Sequence, residues 1–369
     1  MNSLTTRLLD LAIAIQQIPA PTFHEAERAR FVQTRFDEEG LADVRIDSAG
    51  NVHARLAGSR PGKVLVVSAH LDTVFPISVN LRCEREPERI LAPGIGDNSL
   101  GVAGLFGLVW ALREHHLNLS TDLWLVANVC EEGLGDLRGM RAVVEHYGDD
   151  PQAYIILEGM ALGQIYHRGL GVRRYRITVQ TAGGHSWIDY GQPSAVHELT
   201  GLSSHITALE LPRKPRSSLN IGIISGGSSV NTIAAEAMLE LDLRSEGAET
   251  LEVLAAQVAQ IVHEAERPGV SVKMEIIGQR PSGQIPIEHP LVRLAKDCLL
   301  KVGIEPQLNI GSTDANLPLS RNIPAVTIGL TTGGRGHSVH EYIYLSPLEK
   351  GMEQAMELVC RVGESAPNE

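Results

Sequence analysis

Residues 66–76 read VVSAHLDTVFP, a hydrophobic run with the character of a buried strand that stops at an imidazole and a carboxylate, His70 and Asp72. Side chains along a strand alternate faces, so residues two apart share one, and His70 and Asp72 can both point at whatever lies beyond the strand's end. A His–Asp pair that merely solubilises a strand terminus would look the same. The rest of the chain decides between that reading and a site.

Outward from this run, strands and helices alternate up to about Leu162. The expected strands are VRIDS, NVHARLA, KVLVVSAH, TDLWLVANVC and QAYIILEG, with helices SLGVAGLFGLVWALREHH and GDLRGMRAVVEHY between them. The pattern predicts a mixed, mostly parallel sheet sandwiched by helices, an α/β architecture. From about Gly169 the order changes to GVRRYRITVQT (strand), PSAVHELTGLSSHITALE (helix), SLNIGIISG and AEAMLELDLRS (strands), TLEVLAAQVAQIVHEAE (helix) and SVKMEIIGQ (strand). That βαββαβ order is ferredoxin-like and makes a unit of ordinary small-domain size. After RPSGQIP the first pattern returns with PLVRLAKDCLLKVG, PAVTIGL and a closing helix from about Pro347. The expected organisation is a split catalytic domain, residues 1–166 and 281–369, interrupted by a lid or dimerisation domain at 167–280.

Composition narrows the function. The chain has 369 residues, 43% of them hydrophobic, enough for a substantial core, and a formal charge of -12. Nucleic-acid binding needs clustered Lys and Arg, and no such stretch occurs. The opening MNSLTTRLLDLAIAIQQIPAP reads as an amphipathic helix ended by Pro19 and Pro21. No window holds the uninterrupted apolar run that a membrane span requires. Cys83, Cys130, Cys298 and Cys360 are scattered, which indicates neither a thiolate metal site nor a disulfide framework and makes a reducing cytoplasm the simplest setting.

Four further places break the apolar pattern as His70 does. GIGDNSLG sets Asp97 in a glycine turn before a helix, VANVCEEGLGD ends a strand in Glu131 and Glu132, YIILEGM ends another in Glu158, and RGHSVHEYI places His337 and His340 in a glycine-rich loop. Singly, each reads equally well as a helix cap, a solvated acid or a surface His. In an open α/β sheet, however, loops at the carboxyl ends of strands converge on one crevice. Imidazoles and carboxylates without thiolates suit zinc, manganese or cobalt. Two His and three carboxylates can serve two divalent ions that share one bridging carboxylate, and so many acids in one cleft would repel without cations. Paired ions can activate a water and clamp a tetrahedral intermediate.

The ordered motifs HLDTV, GIGDNSLG, EEGLGD, LEG and HSVHE resemble those of the dizinc exopeptidase and deacylase family that includes glutamate carboxypeptidase, peptidase T, aminoacylase, acetylornithine deacetylase and succinyl-diaminopimelate desuccinylase. The resemblance covers nearly the whole chain. It implies His70 and Glu158 on one ion, Glu132 and His337 on the other, and Asp97 bridging, with zinc expected first and cobalt or manganese as alternatives. It also implies that Asp72 orients His70 and that Glu131 is the general base. His340 is the rival of His337, and family members similar at this motif use the first His. In the insertion, TAGGHSW places His185 where the family stabilises an oxyanion, often across a homodimer. SVNTIA supplies Asn231 and LDLRS supplies Arg244 for the substrate's carbonyl or carboxylate, although Asn231 also reads as a turn residue and Arg244 as a strand-end ion pair. GSTDANL, with Thr313 and Asp314, resembles a loop that lines the pocket. The chain departs from the commoner members after Asp97, where it has Asn98 and Ser99 rather than an acid or Asn followed by Lys.

The function implied is hydrolysis of an amide bond in a small peptide or N-acyl amino acid, carboxypeptidase- or deacylase-like because position 158 is Glu rather than Asp. A peptidase T-like aminopeptidase or dipeptidase is the alternative, favoured by the character of HSVHEYI. A non-catalytic metal-binding or assembly protein is the alternative of another class.

Overall fold

The strand that ends at His70, Val64–His70, lies in the interior of a nine-stranded sheet in the computed structural model, which describes residues 3–60 and 64–364. Lys63, placed at the head of that strand by its sequence, lies outside the described residues. The chain divides into two compact units, Met1–Gly169 with Gly283–Glu369, and Leu170–Ser282.

In the first unit the sheet runs in the order Ala42–Ile46, Val52–Leu56, Asp122–Asn128, Val64–His70, Pro151–Glu158, Ala325–Gly329, Gln164–Gly169, Gly283–Gln284, with Gln307–Gly311 also paired to Gln164–Gly169. The four strands from Asp122–Asn128 to Ala325–Gly329 are mutually parallel, and the strands flanking them pair antiparallel. The sheet is therefore mixed with a parallel centre, and the carboxyl ends of its central strands open toward one edge of the layer.

Helix Leu100–Glu114 is buried along every residue from Leu100 to Leu112. A helix apolar on all sides belongs inside a core: the stretch Ile95–Glu114 is, against the expectation from its sequence, long and apolar enough by length and composition to cross a bilayer, and 94% of its 18-residue apolar window is buried in this fold. Close approach explains its small residues: a Cβ on Gly104 would come within 2.4 Å of Leu330 Cδ1. Amphipathic helices Ser3–Gln16, Ala26–Glu38 and Leu348–Glu364 add their apolar faces to the same core.

The second unit is a four-stranded antiparallel sheet in the order Ser217–Gly226, Glu236–Ser245, Gly171–Thr181, Val270–Arg280. Helices Ala195–Thr207 and Ala248–Ala265 pack on it through Leu199, Leu202, Ile206, Leu251, Val258 and Val262. This is the ferredoxin-like strand order, with its own core.

Several elements have no counterpart in the alternation of the sequence. Gln164–Gly169 is a strand of the large sheet, so the boundary expected at residue 166 falls inside a strand. A small sheet of Glu84–Arg85, Arg89–Leu91, Gly333–Gly334 and Tyr342–Tyr344 joins two loops from distant parts of the chain. Strands of two or three residues carry too little periodicity to be read locally.

Candidate metal centre

The parallel centre of the large sheet brings the expected residues together. His70 is the last residue of its strand, Glu158 ends the neighbouring strand, and Glu131 and Glu132 follow Asn128, which sits beside His70 in the ladder. Asp97 enters from the tight turn Ile95–Ser99 that precedes the buried helix. His337 comes from the loop ahead of Tyr342–Tyr344, with a left-handed backbone at φ 61°.

Asp97 is central to the geometry. Its Oδ1 lies 3.1 Å from His70 Nε2, and its Oδ2 lies 3.0 Å from His337 Nε2. Glu158 Oε2 is 3.8 Å from His70 Nε2, and Glu132 Oε1 is 3.2 Å from His337 Nε2. Three donor triads with atoms within 4.8 Å of one another occur among the described residues; two of them, His70–Asp97–Glu158 and Asp97–Glu132–His337, share only Asp97, and the third is His70–Glu131–Glu132. Donors about 2.0–2.2 Å from a common tetrahedral ion lie roughly 3.3–3.6 Å apart. The separations match that spacing closely enough that each of the two triads sharing Asp97 fits one small divalent cation. Of the two histidines in HSVHE, His337 is the one that reaches Asp97 and Glu132.

The electrostatics follow from burial and crowding. Burial alone would raise the Asp97 carboxyl, but hydrogen bonds with His337 and His70 hold it well below the ordinary carboxylate range. Burial pushes Glu158 up, and the charges of Asp97 and Glu132 add to it against the pull of His70. Burial would lower His70, yet Asp72, Asp97 and Glu158 together raise it well above its usual value. Asp97 and Glu132 raise His337 to about 10. The acid-rich cluster thus favours positive charge on both imidazoles, the place that cations take in a metal centre.

Asp72 is fully buried and works mainly as an acceptor of backbone hydrogen bonds. Its Oδ1 accepts from the amide of Glu131 and its Oδ2 from the amide of Glu132, both at 2.9 Å, with Thr22 Oγ1 donating a third bond at 2.9 Å. His70 Nδ1 lies 3.0 Å from the Asp72 carbonyl oxygen and 3.6 Å from its Oδ1. The carbonyl makes the closer contact, within hydrogen-bond range, while the carboxylate stays at ion-pair distance from the ring and also accepts the amides of the acidic turn.

Other groups hold the centre through bonds to the main chain. Arg28, 2% exposed, donates from Nη1 to the Leu71 carbonyl at 2.7 Å and from Nε to that of Ile18 at 3.0 Å. Glu25 Oε1 accepts from the amides of Phe23 and Cys130 at 3.0 and 3.1 Å. Asn98 donates to the Leu157 carbonyl and accepts from the Gly159 amide, tying the Asp97 turn to the end of the Glu158 strand. Glu341 is fully buried, and burial pushes its carboxyl to about 7 against the hydrogen bonds it receives. Its position directly after HSVH in the sequence is the one clue to it.

The remaining expected residues divide. In the second unit His185 and Asn231 are neighbours: Ser186 N donates to the Asn231 carbonyl at 3.0 Å, and both side chains are exposed. Arg244 stands elsewhere and forms the strand-end ion pair that its sequence also allowed. Its Nε donates to Asp242 Oδ1 at 2.7 Å, a same-face pair two residues apart on one strand. It lies near the Ser245 end of that strand, roughly 27 Å of extended chain from Glu236, the end beside Asn231. Asp314, expected to line a pocket, is fully buried and accepts from Asn128 Nδ2 at 2.7 Å. Thr313 Oγ1 is 2.9 Å from Thr327 Oγ1.

Residues 66–361 match the peptidase family M20/M25/M40. The uncharacterized protein YqjE of Bacillus subtilis is 24% identical over 380 residues, covering 98% of each chain. Among solved structures, a tripeptidase of Staphylococcus aureus superposes with a TM-score of 0.82 at 20% identity over 97% of this chain and 98% of its own. Aminopeptidase PepT of Bacillus cereus does so with a TM-score of 0.80 at 20% identity over 98% of this chain and 99% of its own. At this identity the structural likeness is one of fold.

Proposed function

This chain belongs to peptidase family M20/M25/M40, and from that premise we propose that it is a dinuclear metallohydrolase that cleaves the amide bond of a small peptide or N-acyl amino acid. The observation that carries the reading is the split of the Asp97 carboxylate, one oxygen toward each of two His–carboxylate triads.

Two divalent ions, zinc before cobalt or manganese, supply when bound a water of lowered pKa and a Lewis acid for the scissile carbonyl. His70, Glu158 and Asp97 would hold one, and Asp97, Glu132 and His337 would hold the other. Glu131 moves the proton: its buried carboxylate takes it from the attacking water and passes it to the leaving amine. Asp72 fixes the main chain of Glu131 and Glu132, so base and ligand keep their separation. His185 and Asn231 are assigned to the substrate's oxyanion and carbonyl.

We place the preference at the carboxypeptidase or deacylase side, because position 158 is Glu. An aminopeptidase of the peptidase T kind is the second reading, supported by the names of the two superposed structures. The protein works as a homodimer paired through the insertion: strand Ser217–Gly226 is a sheet edge with Ile223 and Ile224 exposed, the kind of edge that another strand covers. Its free cysteines suit a reducing cytoplasm.

The test is chelation and reconstitution of the purified enzyme, assayed on free dipeptides, N-blocked dipeptides and N-acetyl amino acids. Activity should vanish with chelator and return with zinc, cobalt or manganese. Preference for N-blocked substrates supports the carboxypeptidase or deacylase reading, and strict need for a free amine supports the other. A metal-free preparation of full activity would refute the dinuclear mechanism.

A further inference from the structure

We propose that Glu341 is a positioning residue that sets the place of the bridging carboxylate by binding the main chain of the Asp97 turn, and so governs the affinity of the centre for its ions. The inference rests on the dinuclear reading and deepens it.

The carboxylate of Glu341 receives three backbone hydrogen bonds from one turn. The amides of Gly96 and Asp97 donate to Oε1 at 2.7 and 2.9 Å, and the amide of Gly94 donates to Oε2 at 3.2 Å. A fourth bond runs from Ala92 N to the Glu341 carbonyl at 3.0 Å. The residue therefore grips the Asp97 turn with both side chain and main chain. Bonds from amides to a buried carboxylate are stronger than neutral ones, and without an acceptor these amides would be left unpaired in the interior.

Glu341 also belongs to the loop that carries His337, and its own amide donates to the Ser338 carbonyl at 3.0 Å. Immediately after it, Tyr342–Tyr344 pairs with Arg89–Leu91, the strand leading into the Asp97 turn. One side chain thus fixes the turn of the shared ligand against the loop of a terminal ligand. The separation of Asp97 Oδ2 from His337 Nε2, 3.0 Å, is set across this joint. None of these hydrogen bonds of Glu341 is to a donor atom of the triads. It acts through the backbone, as groups behind metal ligands do when they fix orientation.

The experiment compares wild type, E341Q and E341D as full chains, freed of metal and titrated with zinc by calorimetry, with circular dichroism and melting as checks of folding. In E341Q one atom of the side-chain amide must turn an N–H toward an amide donor. E341D keeps the charge but draws it back by one methylene. Both should remain folded while their zinc affinity falls by roughly the 10- to 100-fold associated with loss of an outer-shell partner. Turnover at limiting zinc should fall in proportion and recover with added zinc, at an unchanged KM. A residue of merely structural importance would lower the melting temperature and leave the zinc affinity of the folded protein alone. Folded variants with wild-type zinc affinity overturn the proposal, and so does failure of both variants to fold, which would make Glu341 a stability residue. Should wild type itself bind no pair of ions, the dinuclear reading fails first and separately.

Discussion

Oδ2 of Asp97 lies 3.0 Å from Nε2 of His337, although one residue comes from the first segment of the split unit and the other from the last. The other oxygen of Asp97 faces His70. A single carboxylate therefore joins the two halves of the centre, and neither half is complete without it.

Asp97→Asn keeps the shape of this side chain and removes its charge. Bound metal should drop for both ions, by more than the roughly 10- to 100-fold typical of an outer-shell loss, and activity should fall with it. Elemental analysis after dialysis checks this. Retention of two ions per chain would exclude Asp97 as the bridge.

Glu131→Gln separates chemistry from binding. The base is removed while Glu132 stays, so turnover should fall by the roughly 10²- to 10⁴-fold of general acid–base catalysis, with metal content and melting temperature close to wild type. Glu132→Gln should instead lower occupancy as well as rate. Near-normal turnover in the first variant would assign the proton to another group.

Asp72→Ala strands the amides of Glu131 and Glu132 and the hydroxyl of Thr22. Each buried group without an acceptor costs about 1–3 kcal/mol, so denaturant unfolding should show a large loss of stability, with a smaller loss for Asp72→Asn. A change within about 0.5 kcal/mol, the range of surface substitutions, would contradict the hydrogen-bonding role.

Stability at low pH should carry a contribution from Asp47, which caps the turn between Ala42–Ile46 and Val52–Leu56. Burial works to raise its carboxyl, but hydrogen bonds from His53 and Asn51 outweigh that and lower it from 3.8 to about 2. A folded-state value below the unfolded one means stability that is present above pH 3.8 and lost as the pH falls through about 2. The difference in melting temperature between wild type and Asp47→Asn should be constant near neutrality and shrink across that window. A difference independent of pH would show that the charge of Asp47 contributes nothing.

The sequence alone determined whatever is recorded in local periodicity. The alternation of GVRRYRITVQT and AEAMLELDLRS and the helical spacing between them are properties of neighbouring residues, so the βαββαβ order was legible. His70, Glu131, Glu132 and Glu158 were legible for a related reason, since each interrupts an apolar run at a place where a strand must end, whereas Asp97 and His337, in glycine-rich turns, were legible through the resemblance of their motifs. Tertiary structure alone decided how those ends meet. It assigned the two oxygens of Asp97 to different histidines and set which of its two readings Arg244 shows, by pairing it with Asp242. It also decided the roles of Asp72, Arg28, Glu25 and Glu341, whose partners are backbone amides and carbonyls. Every residue but proline offers the same amide and every residue the same carbonyl, so no side-chain pattern names the partner in advance. Only the folded chain, in which an unpaired buried amide is costly, selects it.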